Sequence, residues 1–203
     1  MGTADALRQG DLRGFPHVGR ALLATLALHR LSAFPMNSRF AGQLPGAKTY
    51  FDRARSYCDA VARGKPTWVD PLVLQQEYEA VVKVDGEYVE EPDGPESWCM
   101  DALDVAEYAV SAWRDSERNQ EAVQNALGSL ESFVDMVEEM SPRMDGDDSA
   151  LLPVLEAERQ VADFAVIRAA MRIGPLEAAK LDALYTASRE LAFRYRDRLL
   201  LVP

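Results

Sequence analysis

The chain has 203 residues, of which 48% are hydrophobic and 27% charged. That is enough apolar material for one sizeable core and too ordinary a charge content for a disordered chain. Its net charge of −11 is unevenly spread: residues 1–68 carry a net +6, residues 69–148 a net −18 and residues 149–203 a net +1. An acidic middle third of this kind repels nucleic acid and anionic membrane, and attracts basic protein surfaces or divalent cations. Its plainer reading is a solvated face, partly neutralised by the basic N-terminal third.

The longest uncharged apolar run, Ala21 to Leu28, is too short to span a bilayer. It also lacks the marks of a secretory signal: Asp5 and Asp11 precede it, His29-Arg30 interrupts it, and no small-x-small site follows. The two cysteines, Cys58 and Cys99, form neither a disulfide framework nor a CxxC motif. They read as small buried side chains of a cytoplasmic protein.

Taken in order, the elements are helical. From Pro16, the residues Val18, Leu22, Leu26 and His29 share one helical face, and the pattern fades by Phe34-Pro35. Residues 1–14 read as a flexible N-terminus, and 41–47 as a Gly/Pro loop. Lys48 to Arg63 is a helix with Phe51, Ala54, Tyr57, Cys58 and Val61 on one stripe, stopped at Gly64. Asp70 as N-cap and Pro71 as first residue open a helix to about Val82. The run VKVDGEYV then reads as a short β-hairpin near residues 82–89, turning on Asp85-Gly86.

Pro95 to Arg114 is expected to be a central, mostly apolar helix carrying Trp98 and Trp113. Ser116 is expected to cap the next helix, to about Met140, in which Val123, Leu127, Leu130, Val134 and Val137 repeat as a packing seam. Residues 141–148 form a polar turn, and Ser149 caps a helix from about Pro153 to Ile173. Gly174 ends that helix and Pro175 starts the last, which turns Leu181, Leu184, Leu191, Tyr195 and Leu199 inward and ends near Leu200. The short connections make neighbours antiparallel. The fold expected is therefore all-α: a single-domain antiparallel bundle of six or seven helices spanning 1–203, with one small hairpin.

Four segments, PHVGRALLATLALHR (16–30), WCMDALDVAEYAV (98–110), ALGSLESFVDMVEEM (126–140) and PVLEAERQVADF (153–164), match a known pattern in order and spacing. His17-Val18, Trp98 with Asp101, and Glu156 with Glu158 after Pro153 carry it best. Over roughly residues 15 to 170 the chain resembles a bacterial YjaG-like family of uncharacterised helical proteins. The resemblance implies a compact helical bundle and no activity.

Standard catalytic motifs are missing: there is no phosphate-binding glycine loop, no GxSxG and no HExxH. Of the two histidines, His17 sits at a helix start, where it caps or packs, and His29 reads as a hydrogen-bonded core residue. Glu156 and Glu158 read as a first-turn acidic bias suited to the helix dipole. The acids Asp101, Asp104 and Glu107, with Asp135, Glu138 and Glu139 on the following helix, suggest one enzymatic alternative. It is a divalent-metal hydrolase of phosphate esters or nucleotides using Asp101, Asp104, Glu138 and Glu139. Against it, Val134 and Val137 face the core, which turns Asp135 and Glu138 away.

The leading expectation is a non-enzymatic interaction module without a cofactor: an adaptor, regulator or immunity-type inhibitor of a protein partner with a basic surface. Its contacts would be Asp85, Glu87, Glu90, Glu91 and Asp93, with Trp68 and Tyr88 as apolar anchors. Nucleic acid and membrane are not expected partners. The oligomeric state stays open, a homodimer included.

Overall fold

A computed structural model describes residues 12, 14–34, 44–88, 97–141 and 151–201. Among them are seven helices: α1 (His17–Arg30), α2 (Ala47–Ala62), α3 (Pro71–Val82), α4 (Ser97–Arg114), α5 (Asn119–Met140), α6 (Leu152–Met171) and α7 (Ala178–Leu199). A two-stranded antiparallel hairpin, β1 (Lys83–Val84) and β2 (Glu87–Tyr88), follows α3 directly. The architecture is an all-α antiparallel bundle with one short hairpin. No helix among the described residues is long and apolar enough to cross a membrane.

α1 is the hub. Every residue from Ala21 to Arg30 is buried, and the helix packs on α2, α4, α5, α6 and α7. The run ALLATLAL is apolar all round because helices surround it. The expected centre, α4, is the second hub, packing on α1, α2, α3 and α5. Trp98 is fully buried, while Trp113 is half-buried and donates its indole N–H to Thr25 Oγ1 at 2.9 Å. α4 and α5 pack side by side across a four-residue connection and so run antiparallel. The seam of α5 is as expected: Val123, Leu127, Leu130, Val134 and Val137 are all buried. So are Leu181, Leu184, Leu191, Tyr195 and Leu199 of α7. Cys58 and Cys99 are buried and not joined in a disulfide, and burial raises the Cys58 thiol pKa far above its usual range.

Several expectations need correction. Val18 is exposed, because steps of four residues drift around the helix and carry its first turn off the buried face. Ser116 does not cap α5: the helix starts at Asn119, and Asp115 Oδ1 instead accepts from the Glu117 and Arg118 N–H groups at 2.9 and 3.1 Å. Those two bonds lower the Asp115 pKa. Pro175 does not open α7, which begins at Ala178 after Glu177. The expectations for 1–11 and 13, for 41–43 of the 41–47 loop, for the helix start at Pro95, for the 142–148 turn and for Ser149 fall outside the described residues.

Candidate functional site

The segment from Gly64 to Tyr88 is anchored at its base and open on its outer side. α2 ends in a Schellman closure: Gly64 takes a φ of +62°, its N–H reaches Val61 O, and the Lys65 N–H reaches Ala60 O at 2.8 Å. Five residues on, Asp70 caps α3, accepting from the Leu72 N–H at 2.8 Å, with Pro71 at the first helical position. Between these two fixed ends stands Trp68, 97% exposed.

α3 is clamped from below. Leu74 and Val82 are buried, Tyr78 packs against Tyr50 with ring centroids 5.6 Å apart, and Arg53 of α2 pairs with Glu77. The Tyr78 hydroxyl donates to Asp104 of α4 at 2.6 Å; burial, then that bond, raises the phenol pKa well above the usual range. The upper side of α3 leaves Leu72 57% exposed and Val73 exposed beside it.

The hairpin is the one the sequence implies. Asp85 and Gly86 take φ values of 54° and 87°, the two left-handed positions a tight primed turn requires, and Lys83 pairs with Tyr88 across the strands. Tyr88 is 65% exposed, with the Lys83 ammonium 4.8 Å from its ring centroid. Asp85 and Glu87 are exposed. The twelve residues of α3 span about 18 Å, with Trp68 before the start of the helix and Tyr88 after its end. Over Asp70 to Tyr88 five acids (Asp70, Glu77, Glu79, Asp85 and Glu87) stand against Lys83 alone. Trp68, Asp85, Glu87 and Tyr88 are thus each exposed along one acidic segment, with α3 between the first and the other three; Glu90, Glu91 and Asp93 lie outside the described residues.

The acids of α4 and α5 point to separate tasks. Asp104 faces α3 and holds Tyr78. Glu107 accepts from Ser111 Oγ at 2.7 Å, and burial raises its pKa. Glu138 accepts the Leu152 N–H at 3.0 Å, filling an open donor at the start of α6. Asp135 and Glu139 face outward, and Asp101 is half-buried on α4. Among the described residues no group of three or more His, Cys, Asp or Glu side chains is placed to hold a metal ion.

No family model, curated protein or solved structure matches this chain.

Its own geometry adds two polar clusters at the C-terminal end of α1. His29 is buried as expected: its Nε2–H donates to Asp59 Oδ1 at 2.6 Å, and Tyr185 stacks on the ring with centroids 4.1 Å apart. Burial, then the Asp59 charge, raises the Tyr185 phenol pKa, while Arg63 lies over that ring and pairs with Asp182 at 2.6 Å. His17 bonds Ala112 O at 3.0 Å, a packing contact.

The second cluster went unread in the sequence. Arg30, 1% exposed, reaches both Glu156 and Asp163 of α6. Glu156 also accepts from Gln160 at 2.9 Å and from the Tyr195 hydroxyl, and Asp163 accepts from Arg159. Glu156 is therefore a buried ion-pair partner and not a dipole-serving first-turn acid; Glu158, two residues on, is exposed. The available signal was spacing: Glu156, Gln160 and Asp163 recur at i, i+4 and i+7, a polar stripe on one helical face. With two cations against two carboxylates the cluster is balanced, the condition under which buried charges are tolerated.

Proposed function

We propose that this chain is a non-enzymatic, acidic, helical interaction module of the cytoplasm: an adaptor, regulator or immunity-type inhibitor whose partner presents a basic surface. The single observation that carries the reading is Trp68, 97% exposed on a segment fixed at both ends, next to exposed Leu72. A tryptophan held rigidly in water adds nothing to folding and is the side chain most often found anchoring a protein interface. The acidic residues supply the complement: Asp85 and Glu87 flank Tyr88 at the far end of α3, within the third of the chain that carries the excess negative charge. Charge of this kind steers a basic partner and sets its orientation, while the aromatic anchors hold it.

The test is affinity capture from the native host with the full chain. Specific partners should be recovered at low salt and lost as salt screens the acids. Trp68→Ala should abolish recovery while changing stability by no more than about 0.5 kcal/mol, since the side chain is exposed. Asp85→Lys with Glu87→Lys should weaken it. Recovery that ignores both variants and salt would sink the proposal.

A further inference from the structure

α6 buries an unusual share of polar side chains beside its core residues Leu152, Phe164 and Ile167. Its polar residues Glu156, Gln160 and Asp163 point into the bundle, toward Arg30 and Tyr195. Its exposed side is largely apolar: Val161, Ala162, Ala165, Val166 and Ala169 face solvent, as does Ile173 in the turn just past the helix end, at 88% exposure. At 100° per residue the five within the helix fall in one sector of about 140°. Two charges lie within that sector, Glu158 near one end and Arg172 at the C-cap, and Arg168 borders it beside Val161; all three are exposed.

We propose that this face pairs with the same face of a second copy of the chain, the two α6 helices antiparallel about a two-fold axis at Ala165. The register follows from the sequence. Glu158 and Arg172 lie equally far from Ala165 on either side, so the antiparallel pairing sets each Glu158 opposite the Arg172 of the other copy. Val161 and Ala169 are likewise symmetric about Ala165 and meet across the axis. The pairing is self-complementary, as a two-fold interface must be. A parallel pairing would set like charges together. Ala162, Ala165 and Ala169 at the crossing let the backbones approach closely, with Val166 and Ile173 packing at the flanks. The face and its edge carry one acid, Glu158, against two cations, Arg168 and Arg172, so the basic partner that suits the Trp68 surface has no charge complement here. One helix pair is a small interface, so the dimer is expected to be weak, with a micromolar dissociation constant.

The test is sedimentation equilibrium on the full chain across the micromolar range. The wild type should show a monomer–dimer equilibrium. Ala165→Glu places two carboxylates at the axis and should weaken dimerisation about a hundredfold, with an unchanged melting curve because the position is exposed. Glu158→Arg and Arg172→Glu should each weaken it about tenfold by setting like charges opposite, and the double variant should restore it. Trp68→Ala should leave the equilibrium untouched, which separates this outcome from the fate of the partner-binding surface. A chain that stays monomeric throughout would overturn the proposal, as would a dimer that survives Ala165→Glu or a double variant that fails to recover.

Discussion

Arg30 keeps its charge in the interior because Glu156 and Asp163 meet it there. Burial works against the guanidinium, and the two carboxylates more than offset it, so its pKa rises on balance. Removing the cation leaves two carboxylates in a dry site with only Arg159 and neutral donors. Arg30→Met should therefore destabilise the protein by about 3–5 kcal/mol in equilibrium urea unfolding, far more than the loss of one methylene-rich side chain; a cost under about 1 kcal/mol would show that the cluster is not charged as drawn. Glu107 offers the opposite case. Burial favours its neutral form, so the folded chain binds that proton more tightly than the unfolded chain. On this account stability grows as pH falls through the folded pKa toward the unfolded one, and the charged form is a burden at neutral pH. Glu107→Gln keeps a partner for Ser111 and should stabilise the protein at neutral pH by less than about 1 kcal/mol. The gain should shrink as pH falls through the raised pKa of the wild-type carboxyl. Parallel urea titrations at neutral and lower pH check both sign and trend.

At the scale of elements, local chemistry made most boundaries readable. The Asp70-Pro71 start, the Gly64 stop and the Asp85-Gly86 turn each rest on one or two residues whose backbone requirements admit few alternatives, and each stands where the sequence puts it. Asp70→Ala should accordingly cost about 1 kcal/mol through the lost cap, read from the shift in urea midpoint, with Trp68 still exposed but less firmly held. Ser116 and Pro175 show where such reasoning fails. Both residues could begin a helix, but Asp115 takes the N–H groups that Ser116 would have met, and the chain needs two further residues after Pro175, Leu176 and Glu177, to redirect itself into α7. α6 misleads for a deeper reason. Its buried side mixes Leu152, Phe164, Ile167 and Ala170 with Glu156, Gln160 and Asp163, and the reason for that polar stripe is visible only once Arg30 is seen opposite it.

For the whole molecule, α1 ties the bundle together by touching five of the other six helices. A core shared in this way should unfold as one unit. Far-ultraviolet circular dichroism and the fluorescence of buried Trp98 should report coincident urea transitions; separated midpoints would mean independent parts. The candidate surface was only partly legible at this scale. Composition located the acidic third and singled out Trp68, Asp85, Glu87 and Tyr88, because uneven charge and an aromatic in a turn are properties of sequence. That α3 lies on the outside, clamped through Tyr78 and Arg53 and presenting Leu72, depends on contacts with α2 and α4 that no local pattern encodes.

The meeting of Arg30 with α6 also limits how the helices can be assembled. Oily side chains are forgiving, and a helix sliding by one turn, about 5.4 Å, can exchange one leucine or valine contact for another. Glu156 and Asp163 cannot make that exchange, since such a slide would strand both acids and the cation among hydrocarbon. The salt cluster thus works as a key cut for one alignment, admitting α6 beside α1 in a single register and turning away the near misses that greasy packing alone would accept.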